Sequence, residues 1–116
     1  MKLNTQLFKG SLATIVLKLL SEEGKMYGYE ITKKVKEQSN GNLSLTEGAL
    51  YPALHKLEAD GLVEVSIEPV GNRPRKYYSL TKEGKKEVKH KLQELSAFIQ
   101  QMQTLLNLNP GGAFPH

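Results

Sequence analysis

Three cations, Arg73, Arg75 and Lys76, fall in a stretch where Pro69 and Pro74 restrict the backbone, with Gly71 and Asn72 between them. A guanidinium carried on such a loop can pair with a phosphate or enter a narrow A·T minor groove. A solvated basic turn is the other reading of the same residues. Further back, the run from Thr46 to Gly61 offers a second set of donors. Leu50, Leu54 and Leu57 recur at i, i+4 and i+7 beside Ala53, the narrow apolar stripe of a helix. Its opposite face carries Gly48, Pro52, His55 and Ala59, flanked by Tyr51 and Lys56. Apart from Lys56 these groups are uncharged and small or flat, suited to lying against another surface. Tyr51, His55 and Lys56 can donate hydrogen bonds to phosphates or base edges, while Gly48 and Pro52 permit close approach. Few of them can make the bidentate contacts that discriminate base pairs strongly, so affinity is expected mainly from the backbone and specificity partly from DNA shape. Tyr51 also reads as a residue at the edge of the core. Tyr29 and Lys33 form a second tier of phosphate contacts, whereas Tyr27 and Tyr78 are expected to fill the core.

Other chemistries find no support in the residues. The chain has no cysteine and three dispersed histidines, so no metal constellation forms. No Gly-rich phosphate loop, nucleophile elbow or paired carboxylates occur, and neither an enzyme nor a cofactor is expected. The 116 residues, 39% hydrophobic, suffice for one modest core. Without cysteine, a reducing cytoplasm is the natural setting. The apolar run from Ser11 to Leu20 is interrupted by Lys18, is too short to span a bilayer and lacks a small-residue cleavage site. It reads as an amphipathic core helix, with no membrane partner. The charge is local. From Asn72 to Lys91 eight basic residues face only Glu83 and Glu87, a net +6 in a chain whose total is +4. Such a patch is the footprint of a polyanion partner, although a Lys-rich solvated helix face would look the same.

Several elements must position these groups. The spacing of Phe8, Leu12, Ile15, Val16, Leu19 and Leu20 predicts a first helix from about Asn4 to Ser21, with a turn over Glu22 to Lys25. Tyr27, Ile31 and Val35 predict a second from about Gly28 to Ser39, stopped by Asn40 and Gly41. Leu43 to Leu45 is long enough for one extended bridge. Either Thr46 or Ser44 can cap the third helix, in which Pro52 costs about 3 kcal/mol for an interior position. Gly61 ends it. Leu62 to Glu68 alternates as a half-buried strand, residues 69–74 read as a loop, and Arg75 to Leu80 returns as a second strand.

Thr81 can cap a last helix. Along it Val88, Leu92, Leu95, Ile99, Met102 and Leu106 are spaced 4, 3, 4, 3 and 4, broadened by Phe98 and Leu105. That is the alternation of a coiled-coil seam and predicts a homodimer; a helix folded back on its own core is the alternative. The chain then divides into residues 1–81 as a DNA-binding unit, 82–108 as a dimerisation helix and 109–116 as a loose tail. The order helix, helix, bridge, helix, strand, strand predicts an α+β, mostly helical winged helix-turn-helix with a long C-terminal dimerisation helix. In that fold the third helix enters the major groove of double-stranded DNA, and a two-fold dimer reads a near-palindromic site.

Four ordered blocks also resemble a family: Tyr27 to Ile31, Leu45 to Glu58, Gly61 to Val63, and Gly71 to Gly84. Over about residues 8 to 106 the chain is similar to the PadR-like bacterial transcriptional regulators, in the short form with a single C-terminal helix. The resemblance implies a dimeric repressor, and it allows release by a small hydrophobic or phenolic effector. Phe98, Met102 and Leu105 could then line an apolar cavity between subunits, with ordinary seam packing as the alternative. Two departures stand out. Ala49 replaces a commoner Thr, and Asn72 occupies a site where a second Gly is frequent. A module that keeps the winged fold but binds another protein is the competing function, for which Arg73, Arg75 and Lys76 would be surplus.

Overall fold

The computed structural model describes residues 5–108; the helix start expected at Asn4 and the tail expected over 109–116 lie outside the described residues. The elements are α1 (Thr5–Glu23), β1 (Lys25–Met26), α2 (Gly28–Gln38), α3 (Glu47–Ala59), β2 (Val63–Val70), β3 (Arg73–Leu80) and α4 (Lys82–Leu105). They form a winged helix fold, mostly helical, with a three-stranded antiparallel sheet in the order β1-β3-β2 and a long C-terminal helix.

The core gathers on α1. Leu12, Val16, Leu17, Leu19 and Leu20 are all buried, so this helix is covered on more than the single stripe that periodicity suggests. Ile31 and Val35 of α2 pack around it with Leu50, Leu54 and Leu57 of α3. Val63, Tyr78 and Leu80 bring in the roots of β2 and β3. No helix among the described residues is long and apolar enough to cross a membrane.

Local signals decide most helix ends. Asn40 (φ 54°) and Gly41 (φ 80°) supply the left-handed stop of α2, and Gly41 donates to the carbonyl of Lys36 at 2.8 Å. Thr46, not Ser44, caps α3, its hydroxyl oxygen accepting from the Ala49 amide at 3.2 Å. Pro52 lies inside α3, and the helix continues through it to Ala59. Gly61 (φ 76°) closes the helix in a Schellman arrangement, with the Leu62 amide donating to the carbonyl of Leu57 at 2.9 Å.

Two expectations about the sheet are corrected. The third strand is β1, directly after α1, pairing Lys25 with Ser79 and Met26 with Tyr78. Leu43 to Leu45 forms no strand; Leu45 plugs the core while the Leu43 amide donates to the Ser39 hydroxyl at 2.9 Å. The stretch 69–74 is not a loop either. The strands run on to a two-residue turn at Gly71 and Asn72, with Pro69 opposite Pro74. In a hairpin with two loop residues Val70 and Arg73 form the hydrogen-bonded pair, so the next pair needs no ladder amides and tolerates proline on both strands. Gly71 carries the positive φ, 62°, and Asn72 does not, the pattern of a type II′ turn. An asparagine in place of a second glycine is therefore without strain.

The junction of α4 is closely knitted. The Thr81 hydroxyl oxygen accepts from the Gly84 amide at 3.0 Å, and its proton goes to the carbonyl of Gly61 at 2.6 Å. A Cβ on Gly84 would lie 2.0 Å from the carbonyl oxygen of Leu62, so only glycine lets α4 approach this close. Val88 is then buried and Leu92 half-buried against the protomer's own core. Val88, expected in the seam, is corrected to a core residue, since four residues past Gly84 the helix still lies against α1 and the sheet root. Leu95 and Met102 are half-buried, whereas Phe98, Ile99, Leu105 and Leu106 are exposed.

Candidate nucleic-acid interface

The outward face of α3 carries Gly48, Pro52, His55 and Lys56, all exposed. Lys56 approaches Asp60 at 3.4 Å one turn on, an exposed pair that holds it only weakly. Thr46 uses an oxygen lone pair for its cap and keeps its proton to donate. Tyr51 sits at the edge of the core, the second of its two readings. It is half-buried and leans over the start of α2, where a Cβ on Gly28 would come within 2.5 Å of its hydroxyl oxygen. Its ring sits 6.4 Å from that of His55. On α2, Tyr29 and Lys33 are exposed.

The hairpin divides its cations between two faces. Successive strand residues alternate, so Arg73, Arg75 and Tyr77 share one face of β3 while Pro74, Lys76 and Tyr78 share the other. Lys76 lies opposite Ile67, which is 64% exposed. Arg73 and Lys76 are exposed and Arg75 is half-buried. The guanidinium carbon of Arg75 stands 4.0 Å from the centre of the Tyr27 ring, a cation–π contact. Tyr27 meets Tyr77 edge-on at 5.5 Å and Tyr29 at 6.4 Å with nearly parallel planes. It is therefore part of a surface stack, not of the core. Lys25, which sequence reasoning passed over, ion-pairs with Glu68 and lies 5.2 Å from the Tyr77 ring. The expected strand from Arg75 put Arg75 and Tyr77 on one face, but Arg73 fell in the expected loop and nothing local tied Lys25 or Tyr27 to that face.

Tyr78 behaves as expected and is 1% exposed. Burial pushes its phenol above the ordinary 10.0, with smaller contributions from Tyr51 and Glu58. Beside α3 a groove of about 890 Å³ opens between α1, α3 and α4. Leu12, Ala53 and Leu57 contribute to its floor, and Gly48, Pro52 and Lys56 form one rim. Phe98 and Met102 do not line it. Among the described residues no group of three or more His, Asp or Glu is placed to hold a metal ion.

The outer face of α3, charged only at Lys56, and the basic, two-proline hairpin are thus the two exposed surfaces that the candidate residues form. The profile of the transcriptional regulator PadR-like family matches residues 16–90, which span α2, α3 and the hairpin. The chain belongs to the PadR-like family. Solved structures agree. A transcriptional regulator from Clostridium thermocellum is 30% identical, with a TM-score of 0.80 over 88% of this chain and 96% of that one. Bacillus subtilis PadR, solved in complex with operator DNA, is 33% identical with a TM-score of 0.64, over 70% of this chain and 46% of that one. The transcriptional regulator YqjI of Escherichia coli is 31% identical over 75 residues, 65% of this chain and 34% of that protein. PadR-like proteins are regulators of transcription rather than enzymes, which accords with the lack of any catalytic constellation in the sequence.

Proposed function

We propose that this PadR-like chain is a homodimeric repressor that binds a near-palindromic operator in double-stranded DNA. The observation that carries the reading is the hairpin, which sets Arg73 and Arg75 on one face and Lys76 on the other, in a fold whose α3 exposes Gly48, Pro52, His55 and Lys56. Thr46, Gly48, Tyr51, Pro52, His55 and Lys56 would meet the major groove, and Asn72, Arg73, Arg75 and Lys76 the phosphates or the adjoining minor groove. Tyr29 and Lys33 would add phosphate contacts from α2. The operator complex of Bacillus subtilis PadR supports the same use of the fold.

Dimerisation would run through the far part of α4, where Phe98, Ile99, Leu105 and Leu106 are exposed and Leu95 and Met102 are only half-buried within their own protomer. Leu92 would join at the edge of the core. A two-fold pair then holds its reading helices about 34 Å apart, one turn of the duplex. A small hydrophobic effector bound between subunits, near Phe98, Met102 and Leu105, would shift that spacing and release the operator.

Selection of bound sites from random duplex DNA tests the whole reading. The expected product is an inverted repeat with half-sites about one turn apart. Binding should also weaken by orders of magnitude between about 50 and 200 mM salt. Salt-insensitive binding, or no enriched sequence, would point to a protein partner instead.

A further inference from the structure

Beyond Tyr78 the hairpin has no third strand among the described residues. β1 pairs only with Ser79 and Tyr78, so the ribbon from Ser66 and Tyr77 outward is two-stranded. Such a ribbon is marginal by itself, and its tip would swing about its root. What meets it is the stack on its Arg75 face. Tyr27, the N-cap residue of α2, is pinned by its own amide, which donates to the Glu30 carboxylate at 3.1 Å. Tyr77 closes on its ring edge-on, and Arg75 lies across it at 4.0 Å. The carboxylate facing Arg75 across the ladder is Glu68, and Lys25 already occupies it. Arg75 has no ion pair among the described residues.

We propose that Tyr27 is a positioning residue for DNA binding, holding the Arg75 guanidinium on its ring and thereby fixing the hairpin against α2. The choice of an aromatic partner matters. A carboxylate would hold the guanidinium by neutralising it and occupying its N–H groups. A ring face holds it through the quadrupole and leaves both the charge and the in-plane donors for a phosphate. Lys25 completes the arrangement by keeping Glu68 away from Arg75. Fixing the group before the duplex arrives lowers the ordering cost of binding.

This inference rests on the operator-binding reading, and the test separates the two. Duplex binding is measured at two salt concentrations for the unsubstituted chain, Tyr27→Phe, Tyr27→Leu, Arg75→Ala and the double variant Tyr27→Leu/Arg75→Ala. Tyr27→Phe, which keeps the ring, should bind as the unsubstituted chain does. Tyr27→Leu should weaken binding by roughly threefold to tenfold. In the Arg75→Ala background the same substitution should add nothing, because the group that the ring holds has gone. The Arg75 side-chain N–H resonance should be shifted upfield by ring current in the unsubstituted chain and in Tyr27→Phe. Additive losses, or equal losses for Phe and Leu, would overturn the positioning role. So would an unshifted Arg75 resonance, a measurement that stands even if Tyr27→Leu does not fold. Failure of the unsubstituted chain to bind any duplex would defeat the operator reading itself, and the role of Tyr27 with it.

Discussion

The hairpin β2–β3 and the helix α4 are rooted in the same core, and both outrun it. The hairpin buries Val63, Tyr78 and Leu80 at its base and ends in exposed Gly71, Asn72 and Arg73. α4 buries Gly84 and Val88 in its first turns and ends with Leu105 73% exposed. The protein is correspondingly long, 62 × 30 × 21 Å. The two free ends differ in chemistry. One is cationic and braced by a tyrosine stack, the other is apolar and, within the protomer, unbraced. A projecting cation costs nothing in water and gains when a polyanion arrives, whereas a projecting apolar face gains only by meeting another apolar surface. Under the proposed function, two overhangs from one core serve two kinds of partner.

The largest test of that contrast is at the roots. Val88→Asp should cost about 3–5 kcal/mol, because the carboxylate would be buried without a partner, and chemical denaturation should find the protomer largely unfolded. Leu95→Asp or Phe98→Asp, further along the same helix, should leave the protomer folded but weaken subunit association by on the order of 2 kcal/mol or more, read by sedimentation. A Phe98→Asp protein that stays dimeric would remove the far end of α4 from the interface. At the other overhang, Arg73→Ala should weaken binding to every duplex by about 1.5 kcal/mol and lower the salt slope by about one unit. Lys76→Ala sharpens this point, since it lies on the opposite face of β3, and the larger of the two losses identifies the face turned to the phosphates. The smallest effect concerns Tyr78. Its raised phenol pKa stabilises the fold fully below 10.0, and that contribution is lost as the pH climbs past this value, where the unfolded chain ionises first. Denaturant titrations at about pH 9 and about pH 11 should show a shallower decline for Tyr78→Phe.

Much of this layout was legible in the order of residues, and the reason is range. Caps and stops act over three or four positions. Thr81, Gly61 and the Asn40-Gly41 pair could therefore be read directly, as could the stripe of Leu50, Leu54 and Leu57. Pro52 looked like an obstacle and proved to be tolerated inside α3. The errors fell where the deciding partner is distant in the chain. β1 is two residues long, too short for any alternation, and exists because Ser79 and Tyr78 offer it an edge. Pro69 and Pro74 read as loop residues because their tolerance depends on hairpin register.

Residue types and their spacing were enough to set the class of fold, most of its helix ends and the location of its positive charge, since each follows from interactions within a few residues; α1 nevertheless runs two residues past the Ser21 that its stripe suggested, to Glu23. Tertiary structure alone decided that Val88 belongs to the core while Phe98 does not, that Gly84 must be glycine beneath the Leu62 carbonyl, and that Arg73 and Lys76 look in opposite directions. It also set Arg75 on Tyr27. A periodic pattern states which side of an element is apolar or charged; what covers that side depends on where the rest of the chain has gone.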